Sequence, residues 1–184
     1  MSATTTTKMK TYAIAASDVK DGLYIGALPV TDLNGHLEIA ADLGRVRFAG
    51  YIKVKGRIVA RAGSGIKAGE WIEAGWGIKA GKGIEAGWGI KAGKGIKAGE
   101  GIEAGWGIKA GEGIEAGEGI EAGEGIEAGE GIEAGCSIVC TSLSVKLRIF
   151  AGLCRLPTPA ETEIRCGEIK SGTVAYGTVV IAAK

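Results

Sequence analysis

Glutamates are the residues of this chain whose type and spacing are best suited to binding. Eight of them recur at every third position with no base between them: Glu112, Glu115, Glu118, Glu121, Glu124, Glu127, Glu130 and Glu133. Carboxylates stacked about 5 Å apart repel by roughly 1 kcal/mol per pair in water, and folding does not require that cost because Lys would fit the same positions. The run is therefore interpreted as a solvated face, as a surface for a basic partner, or as a mimic of a nucleic-acid phosphate row.

Residues that could support catalysis or hold a metal ion are few. His36 is the single histidine, and its position in the predicted turn LNGHLE indicates a surface residue. Cys136, Cys140, Cys154 and Cys166 lack paired CxxC spacing and partner histidines, which disfavours zinc and predicts reduced, buried thiols. Calcium is disfavoured because the glutamate run has no clustered Asp and no EF-hand pattern. We therefore predict no catalytic residue, no metal and no cofactor.

Tryptophans form a second candidate interaction surface. Trp76, Trp88 and Trp106 occupy positions that other repeats fill with Lys or Glu, while Trp71 replaces a Gly. Exposed Trp is enriched at protein interfaces. Trp88 beside Trp106, and Trp76 over Lys94, could equally hold successive turns of a repeat structure together. Both interpretations, a partner or oligomer interface and packing within the chain, stay open.

A six-residue repeat, GIxAGx, positions these side chains. Ile recurs at every sixth position from Ile66 to Ile138, and Ala follows two places later from Ala68 to Ala134. A period of six fits neither an α-helix nor a long strand, so each unit is predicted to be a short strand and a corner. Ile and Ala then share the inner side, and the Gly after Ala is predicted to adopt a positive φ. Such short units are stable only when stacked, which predicts an all-β solenoid.

The rhythm of aliphatic, small and Gly positions over about residues 44–140 resembles the hexapeptide-repeat left-handed β-helix, in which three six-residue sides form one triangular coil. For the acyltransferases of that family, the resemblance implies a His base near the subunit interface of a trimer, and His36 matches it by residue type alone. Here Ala68 and its successors precede the corner, and Ile lies two residues earlier, so a flatter coil of twelve residues stays an alternative. GIxAG repeats also resemble, more faintly, phage or mobile-element proteins.

Stacking arithmetic favours the coil of eighteen residues over the coil of twelve. A coil of twelve would place Lys67, Lys79 and Lys91 in one row, and like charges on adjacent strands repel. A coil of eighteen predicts these neighbours instead: Lys67 and Glu85, Glu73 and Lys91, Lys97 and Glu115, Lys109 and Glu127, and Trp88 and Trp106.

The segments before the repeats are predicted to form a lead and a cap. Residues 1–10, MSATTTTKMK, are polar and are expected to be disordered, without the apolar core of a secretory signal. Residues 11–43 are predicted to form an N-terminal β cap with strands at 12–15 and 23–28 and a hairpin turn at Asn34–Gly35. The β-helix is predicted over residues 44–140. Its first, degenerate coils have the inward pairs Val46 and Phe48, Ile52 and Val54, and Ile58 and Ala60.

Residues 141–184 are predicted to form C-terminal strands that cap the far end and could exchange with a neighbouring subunit. Val145, Leu147 and Ile149 alternate with polar residues, which predicts one continuous strand without a corner. Pro157 and Pro159 mark a loop, and residues 173–182 are predicted to be a last apolar strand.

Charge is segregated along a chain whose net charge is only +1. Residues 1–65 contain nine basic and five acidic residues. Residues 66–135 contain seven basic and thirteen acidic residues, and residues 136–184 contain six basic and three acidic residues. The first coils are therefore expected to be basic and the last coils acidic. The basic run consists of Arg45, Arg47, Lys53, Lys55, Arg57 and Arg61.

These features favour a non-catalytic solenoid that binds other proteins, either copies of itself in a dimer or trimer, or a basic target. The sharpest version is a phage-encoded inhibitor of a host nucleic-acid-binding defence complex, anti-CRISPR-like and acting by acidic mimicry. The alternatives are a hexapeptide-repeat acyltransferase and a self-assembling structural scaffold. No apolar run is long enough to span a membrane. We expect a cytoplasmic protein without membrane association or direct nucleic-acid binding.

Overall fold

Each GIxAGx unit forms a three-residue strand, because alternation along Ile-x-Ala buries two side chains and leaves the middle one outside. A computed structural model describes residues 9–153 and 158–181 of the chain. The repeats form strands β8 to β19: β8 Ser64–Ala68, β9 Ile72–Ala74, β10 Ile78–Ala80, β11 Ile84–Ala86, β12 Ile90–Ala92, β13 Ile96–Ala98, β14 Ile102–Ala104, β15 Ile108–Ala110, β16 Ile114–Ala116, β17 Ile120–Ala122, β18 Gly125–Ala128 and β19 Ile132–Ala134.

The strands stack in parallel as coils of a β-solenoid, which confirms the predicted fold class. Each strand from β8 to β17 pairs with the third strand before it and the third after it: Ile84 lies beside Ile66 on one side and Ile102 on the other. Partners are therefore eighteen residues apart, and the alternative coil of twelve is wrong. Like side chains stack on like, with Ile on Ile and Ala on Ala, so one column of isoleucines follows each of the three sides.

The first coils are longer by two or three residues, since Leu37 pairs with Ile58 and Val46 pairs with Ile66. They consist of β4 His36–Ile39, β5 Gly44–Phe48, β6 Ile52–Val54 and β7 Ile58–Ala60. Ile52 pairs with Ile72, twenty residues later, because the corner after β7 contains two extra residues. Ser64 in this corner is fully buried, and its hydroxyl donates to Ala40 O at 2.6 Å and accepts from Leu43 N at 2.9 Å. The insertion thus keeps its polar group paired inside the stack.

The core is one continuous aliphatic column inside the coils, in which the isoleucines and alanines of all three sides pack together. All thirteen isoleucines from Ile66 to Ile138 are at most 2% exposed, and the alanines that follow them are at most 6% exposed. The predicted inward pairs of the degenerate coils are buried as well. At about 1.5–3 kcal/mol for each fully buried Ile side chain, this column is the main favourable term in folding.

The corner glycines correct one prediction. Among the glycines that the structure describes, positive φ occurs at Gly22, Gly44, Gly63, Gly152, Gly172 and Gly177, none of which belongs to a regular repeat. A Cβ on Gly105 would lie 2.1 Å from the carbonyl oxygen of Gly87 in the preceding coil. The other regular corner glycines face the equivalent carbonyl oxygen of their own preceding coil in the same way. The glycine after Ala is therefore required because the coils approach too closely for a side chain, rather than for a left-handed backbone.

The N-terminal segment contains β1 Thr11–Ile14, β2 Val19–Lys20 and β3 Leu23–Tyr24, with 3-10 helices at Ala16–Asp18 and Val30–Asp32. β1 pairs with β4, so this segment covers the first coil. The hairpin predicted at Asn34–Gly35 is wrong, since β4 pairs in parallel with β7 and the chain turns a corner there. The hairpin joins β2 and β3 through Asp21 and Gly22, both at positive φ, and the DG dipeptide was its signal.

The C-terminal segment continues the stack instead of crossing its end. β20 Ile138–Ala151 lies in turn on β17, β18 and β19, and β21 Glu163–Tyr176 follows it around the next coil. The predicted continuous strand is confirmed as β20, but it bends around a corner at Leu147, which is 61% exposed, so the expectation of no corner is wrong. The predicted strand over 173–182 is divided at Gly177, before β22 Thr178–Ile181.

Some predictions concern residues outside the described part of the chain. The disorder expected for residues 1–10 concerns residues outside the described part, except for Met9 and Lys10. Cys154 and Pro157 also lie outside the described part. Pro159 begins a 3-10 helix that ends at Thr162.

Candidate interaction surface

The outer surface of the solenoid consists of three faces and the corners between them. Each face is defined by the outward residues that lie between Ile and Ala in its strands. Face A contains those of β8, β11, β14 and β17, and face B those of β9, β12, β15 and β18. Face C contains those of β7, β10, β13, β16 and β19. The residue after each Ala-Gly pair lies at a corner and stacks on its equivalent in the next coil.

The predicted neighbours of opposite charge are confirmed. Lys67 and Glu85, Lys97 and Glu115, and Lys109 and Glu127 are paired across adjacent coils and joined by hydrogen bonds. Glu73 lies 3.7 Å from Lys91 and 3.6 Å from Lys53. The same stacking also sets like charges side by side, as for Lys79 beside Lys97. The outer charges therefore form rows with a sign pattern particular to each face.

The eight predicted glutamates do not form one ladder, because successive repeats lie on different sides of the solenoid. Glu121 is on face A, Glu127 on face B, and Glu115 and Glu133 on face C. The remaining four lie at corners, where Glu112 stacks with Glu130, and Glu118 and Glu124 occupy the other two corners. Together they form an acidic girdle around the last regular coils.

The longest glutamate row follows the solenoid axis on face A. Glu85, Glu103 and Glu121 are direct neighbours in three successive coils, so a row about 10 Å long presents three carboxylates. Glu85 and Glu103 were not among the predicted binding residues. Reading every eighteenth residue, in place of every third, would have found them.

Ion pairs divide the acidic girdle into two sets. Glu112, Glu115 and Glu127 have a lysine partner in the preceding coil, at 3.7 Å in the case of Lys94 and Glu112. Among the ion pairs of the described residues, none involves the other five members, which we call the unpaired glutamates: Glu118, Glu121, Glu124, Glu130 and Glu133. Negative charge is therefore least compensated at the last regular coils.

The basic run at the first coils is partly neutralised. Arg45 contacts Glu85 at 3.0 Å, and Arg61 contacts Glu38 at 2.6 Å. Arg47 donates to the carbonyl oxygen of Asp21 in the hairpin, at 2.7 Å. Arg47 thus helps to hold the N-terminal segment against the stack, while Arg45 and Arg61 form ion pairs between coils.

The tryptophans separate into a cluster and a single residue. The rings of Trp88 and Trp106 are stacked with centroids 5.4 Å apart, and Trp71 packs its edge against both. Gly89 makes room for the Trp71 ring, since a Cβ there would lie 2.1 Å from it. Trp88 and Trp106 remain 41% and 48% exposed, so packing within the chain leaves part of each ring available for a partner.

Trp76 lies at a different corner and packs against His36 with ring centroids 5.0 Å apart. The Nδ1 atom of His36 accepts a hydrogen bond from the backbone N–H of Arg57 at 3.1 Å. Desolvation, with a contribution from the Arg57 charge, lowers the pKa of His36. Because Nδ1 is occupied as an acceptor, the neutral ring carries its proton on Nε2 and has no lone pair left for a substrate.

Cys140 and Cys166 are buried neighbours inside the C-terminal coils, on β20 and β21. Both are free thiols, and the predicted burial is confirmed for these two residues but is wrong for Cys136, which is half-buried. Burial raises the pKa of Cys140 to about 12 and also raises that of Cys166. Thiols of this kind react slowly because the nucleophilic thiolate is rare.

A shallow groove of about 620 Å³ lies beside face C. Its floor contains Gly77, Gly95 and Gly113, and its rim contains the exposed ring of Trp76. Lysines line the part nearer the first coils and glutamates the part nearer the last: Lys79, Lys94 and Lys97, then Glu115, Glu130 and Glu133.

No protein-family model matches the chain, and comparison with curated proteins and with solved structures gave no match. Residues 9–153 and 158–181 contain no cluster of three or more His, Cys, Asp or Glu side chains arranged to hold a metal ion. Within the same residues, no helix has the length and apolar character needed to cross a bilayer.

Proposed function

We propose that this chain is a non-catalytic β-solenoid interaction protein whose acidic last coils bind a basic surface on another protein. The observation that carries the proposal is the set of unpaired glutamates around the last regular coils. Like charges stacked in this way oppose folding by roughly 1 kcal/mol per pair in water. A basic partner would relieve that repulsion, so part of the cost of folding would be recovered on binding.

In its sharpest form, the proposal is that the protein is a phage-encoded inhibitor acting in the host cytoplasm on a nucleic-acid-binding defence complex. The row of Glu85, Glu103 and Glu121 supports mimicry, because strands about 4.8 Å apart set carboxylates at a regular spacing along a rigid axis. The rigidity comes from continuous parallel pairing. The free thiols of Cys140 and Cys166 fit a reducing compartment. We also propose that the coils wind left-handed, as in the hexapeptide-repeat proteins.

The exposed tryptophan cluster supports a second contact beside the acidic girdle. The column of Trp88 and Trp106 continues into Glu124 at the same corner, so an aromatic surface adjoins unpaired charge. Interfaces commonly combine aromatic anchors with a charged rim. A partner that covers both would gain apolar burial from the rings and steering from the glutamates.

A matched pair of variants tests the proposal. The first replaces the five unpaired glutamates by Gln: Glu118, Glu121, Glu124, Glu130 and Glu133. The control replaces five glutamates that pair with Lys or Arg and lie outside the Glu85 row, and so changes net charge equally: Glu38, Glu73, Glu112, Glu115 and Glu127. Each variant and the original chain are used to capture proteins from a bacterial lysate, and the captured protein is then purified for calorimetry.

We expect the original chain and the control to bind the same basic protein, and the first variant to lose most of that affinity. Binding should also weaken as salt is raised, and the solenoid should displace nucleic acid from its target. Equal binding by both variants, or binding that does not respond to salt, would refute the proposal.

The acyltransferase alternative is disfavoured by the surroundings of His36. Its Nδ1 atom is occupied by the Arg57 N–H, and its ring is packed on Trp76, so the residue serves the first coils. Calorimetry with acetyl-CoA checks this alternative directly. Saturable binding that is lost in His36→Ala would favour the enzyme over the interaction protein.

A further inference from the structure

Face C has a symmetric sign pattern. Reading along the axis from β7 to β20, its outer residues are Val59, Lys79, Lys97, Glu115, Glu133 and Phe150. The row thus consists of an apolar residue, two cations, two anions and a second apolar residue. Reversing its direction exchanges cations with anions and leaves an apolar residue at each end.

One of the two corner columns beside face C changes sign at the same level, whereas the other, Lys82, Glu100 and Glu118, changes sign one coil earlier. The first column contains Trp76, Lys94, Glu112 and Glu130, and Lys94 and Glu112 belong to the coils of Lys97 and Glu115. This column and the row on face C therefore share one midpoint, between the coil of Lys97 and the coil of Glu115. They line opposite sides of the groove. The row on face C extends over six successive coils, a length of roughly 24 Å at 4.8 Å per coil.

We propose that two copies of this chain pair along face C with their solenoid axes antiparallel. A two-fold axis that lies in the interface, perpendicular to the solenoid, passes through the shared midpoint. It sets Lys97 against the partner's Glu115, and Lys79 against the partner's Glu133. At both ends of the row, Val59 meets the partner's Phe150, and both of these side chains are half-buried in the single chain. Every contact occurs twice.

The charges that gain most from this pairing are those at the outer levels. Lys97 and Glu115 already form an ion pair within the chain, and Lys94 lies 3.7 Å from Glu112. Lys79 is stacked on another lysine, and Glu133 on another glutamate, so each has a like charge as its neighbour on this face. In the antiparallel dimer each of them gains a partner of opposite charge.

Faces A and B lack this combination. Face B reads Lys53, Glu73, Lys91, Lys109 and Glu127, which changes sign three times. Face A reads Arg47, Lys67, Glu85, Glu103 and Glu121 and also changes sign once. Its central charges are already compensated within the chain, because Glu85 pairs with both Lys67 and Arg45, and Glu121 would meet no cation of an antiparallel copy. Face C is the one face on which every charge of the row meets an opposite charge and both ends are apolar.

The inference does not depend on the proposed function, because the dimer forms without any other protein. It would cover Glu115, Glu130 and Glu133 and leave Glu121 and Glu124 exposed to a basic target. A chain that is monomeric yet captures a basic protein would refute the dimer and support the proposed function. A dimer that captures nothing would do the reverse.

Charge reversal at Lys79 and Glu133 tests the pairing. In Lys79→Glu and in Glu133→Lys, two attractive contacts per dimer become repulsive, which is expected to raise the dissociation constant about tenfold or more. Both changes place opposite charges beside each other within the chain, so the fold is not at risk. The double variant restores complementarity in the swapped sense and should dimerise like the original chain. Glu121→Lys on face A makes the same charge change as Glu133→Lys and should leave dimerisation unaltered.

Sedimentation equilibrium over a range of concentrations measures the dissociation constants, at low salt and again at high salt. The original chain should dimerise reversibly, and more weakly as salt rises. A monomer at all concentrations, a trimer, or a double variant that dimerises no better than either single variant would overturn the proposal.

Discussion

Gly105→Ala is the most informative single change, because it tests how closely the coils are packed. The new Cβ would lie 2.1 Å from the carbonyl oxygen of Gly87 and 3.2 Å from the Gly87 carbonyl carbon. Both atoms belong to the backbone, so the coils must separate by about 1 Å to reach an ordinary contact. That movement stretches the hydrogen bond from Gly105 N to Ala86 O, which is already 3.2 Å long.

The expected cost of this change follows from three contributions. Overpacking costs about 1–3 kcal/mol and the weakened hydrogen bond about 1 kcal/mol, while the lower entropy of the unfolded chain returns about 0.4–1 kcal/mol. The net loss is therefore about 1–3.5 kcal/mol. In a chain of this length, the melting temperature should fall by about 2–14 °C.

Two other glycines are matched controls. A Cβ on Gly107 would lie 3.2 Å from Gly125 O, so Gly107→Ala should change stability by less than about 1 kcal/mol. A Cβ on Gly50 would have no neighbouring atom within 4 Å, and Gly50 has no positive φ, so Gly50→Ala should stabilise by about 0.4–1 kcal/mol. Urea and thermal unfolding followed by circular dichroism measure all three. Equal stability of Gly105→Ala and Gly107→Ala would refute the close-packing explanation.

Three further predictions concern the core, the single histidine and the thiols. Ile102→Ala should cost about 2–5 kcal/mol and Ile102→Val about 0.5–1.5 kcal/mol in urea unfolding, and a loss below about 1 kcal/mol for the Ala variant would contradict burial of the column. The lowered pKa of His36 means that the unfolded chain takes up the proton more readily, so stability should fall as the pH drops below 6.5. This fall should be smaller in His36→Gln, and an identical pH profile would argue against the Arg57 contact. Cys140 and Cys166 should be alkylated only after unfolding, as mapped by mass spectrometry, and rapid labelling of the native protein would contradict their burial.

The sequence predicts the repeat region closely because its periodicity directly reflects burial. Ile66 and Ala68 face inward for the same reason in every unit, and the eighteen-residue coil follows from the charge pairs that it creates. The degenerate coils were also predictable. Buried and exposed residues alternate through Val46 and Phe48 as in the regular repeats, although the glycines stand at other positions than in the GIxAGx units.

The remaining features depend on contacts between coils that a linear reading does not display. Leu147 looks like the middle of a strand, but the chain turns there because the coil below has its corner at Glu130. Trp71 lies on Trp88 and Trp106 because Gly89 leaves space beneath its ring.

The eight glutamates illustrate the same limit at the candidate site. Their spacing of three suggests one ladder, whereas a side chain has the same neighbours only after a full coil. The structure therefore distributes them over three faces and three corners, and brings Glu121 together with Glu103. Residues that share a surface on a solenoid are found by counting along the chain in steps of one full coil, so the number of residues per coil has to be known first.

The coil length is tested most directly by pyrene excimer fluorescence on pairs of introduced cysteines, in a background without the native reactive thiols. Glu103→Cys with Glu121→Cys places the labels on neighbouring coils of face A, and we expect strong excimer emission from this pair. Glu103→Cys with Glu115→Cys places them on different faces, and we expect monomer emission. Excimer emission from the second pair and not from the first would contradict the eighteen-residue stack, and with it the surfaces proposed for binding and dimerisation.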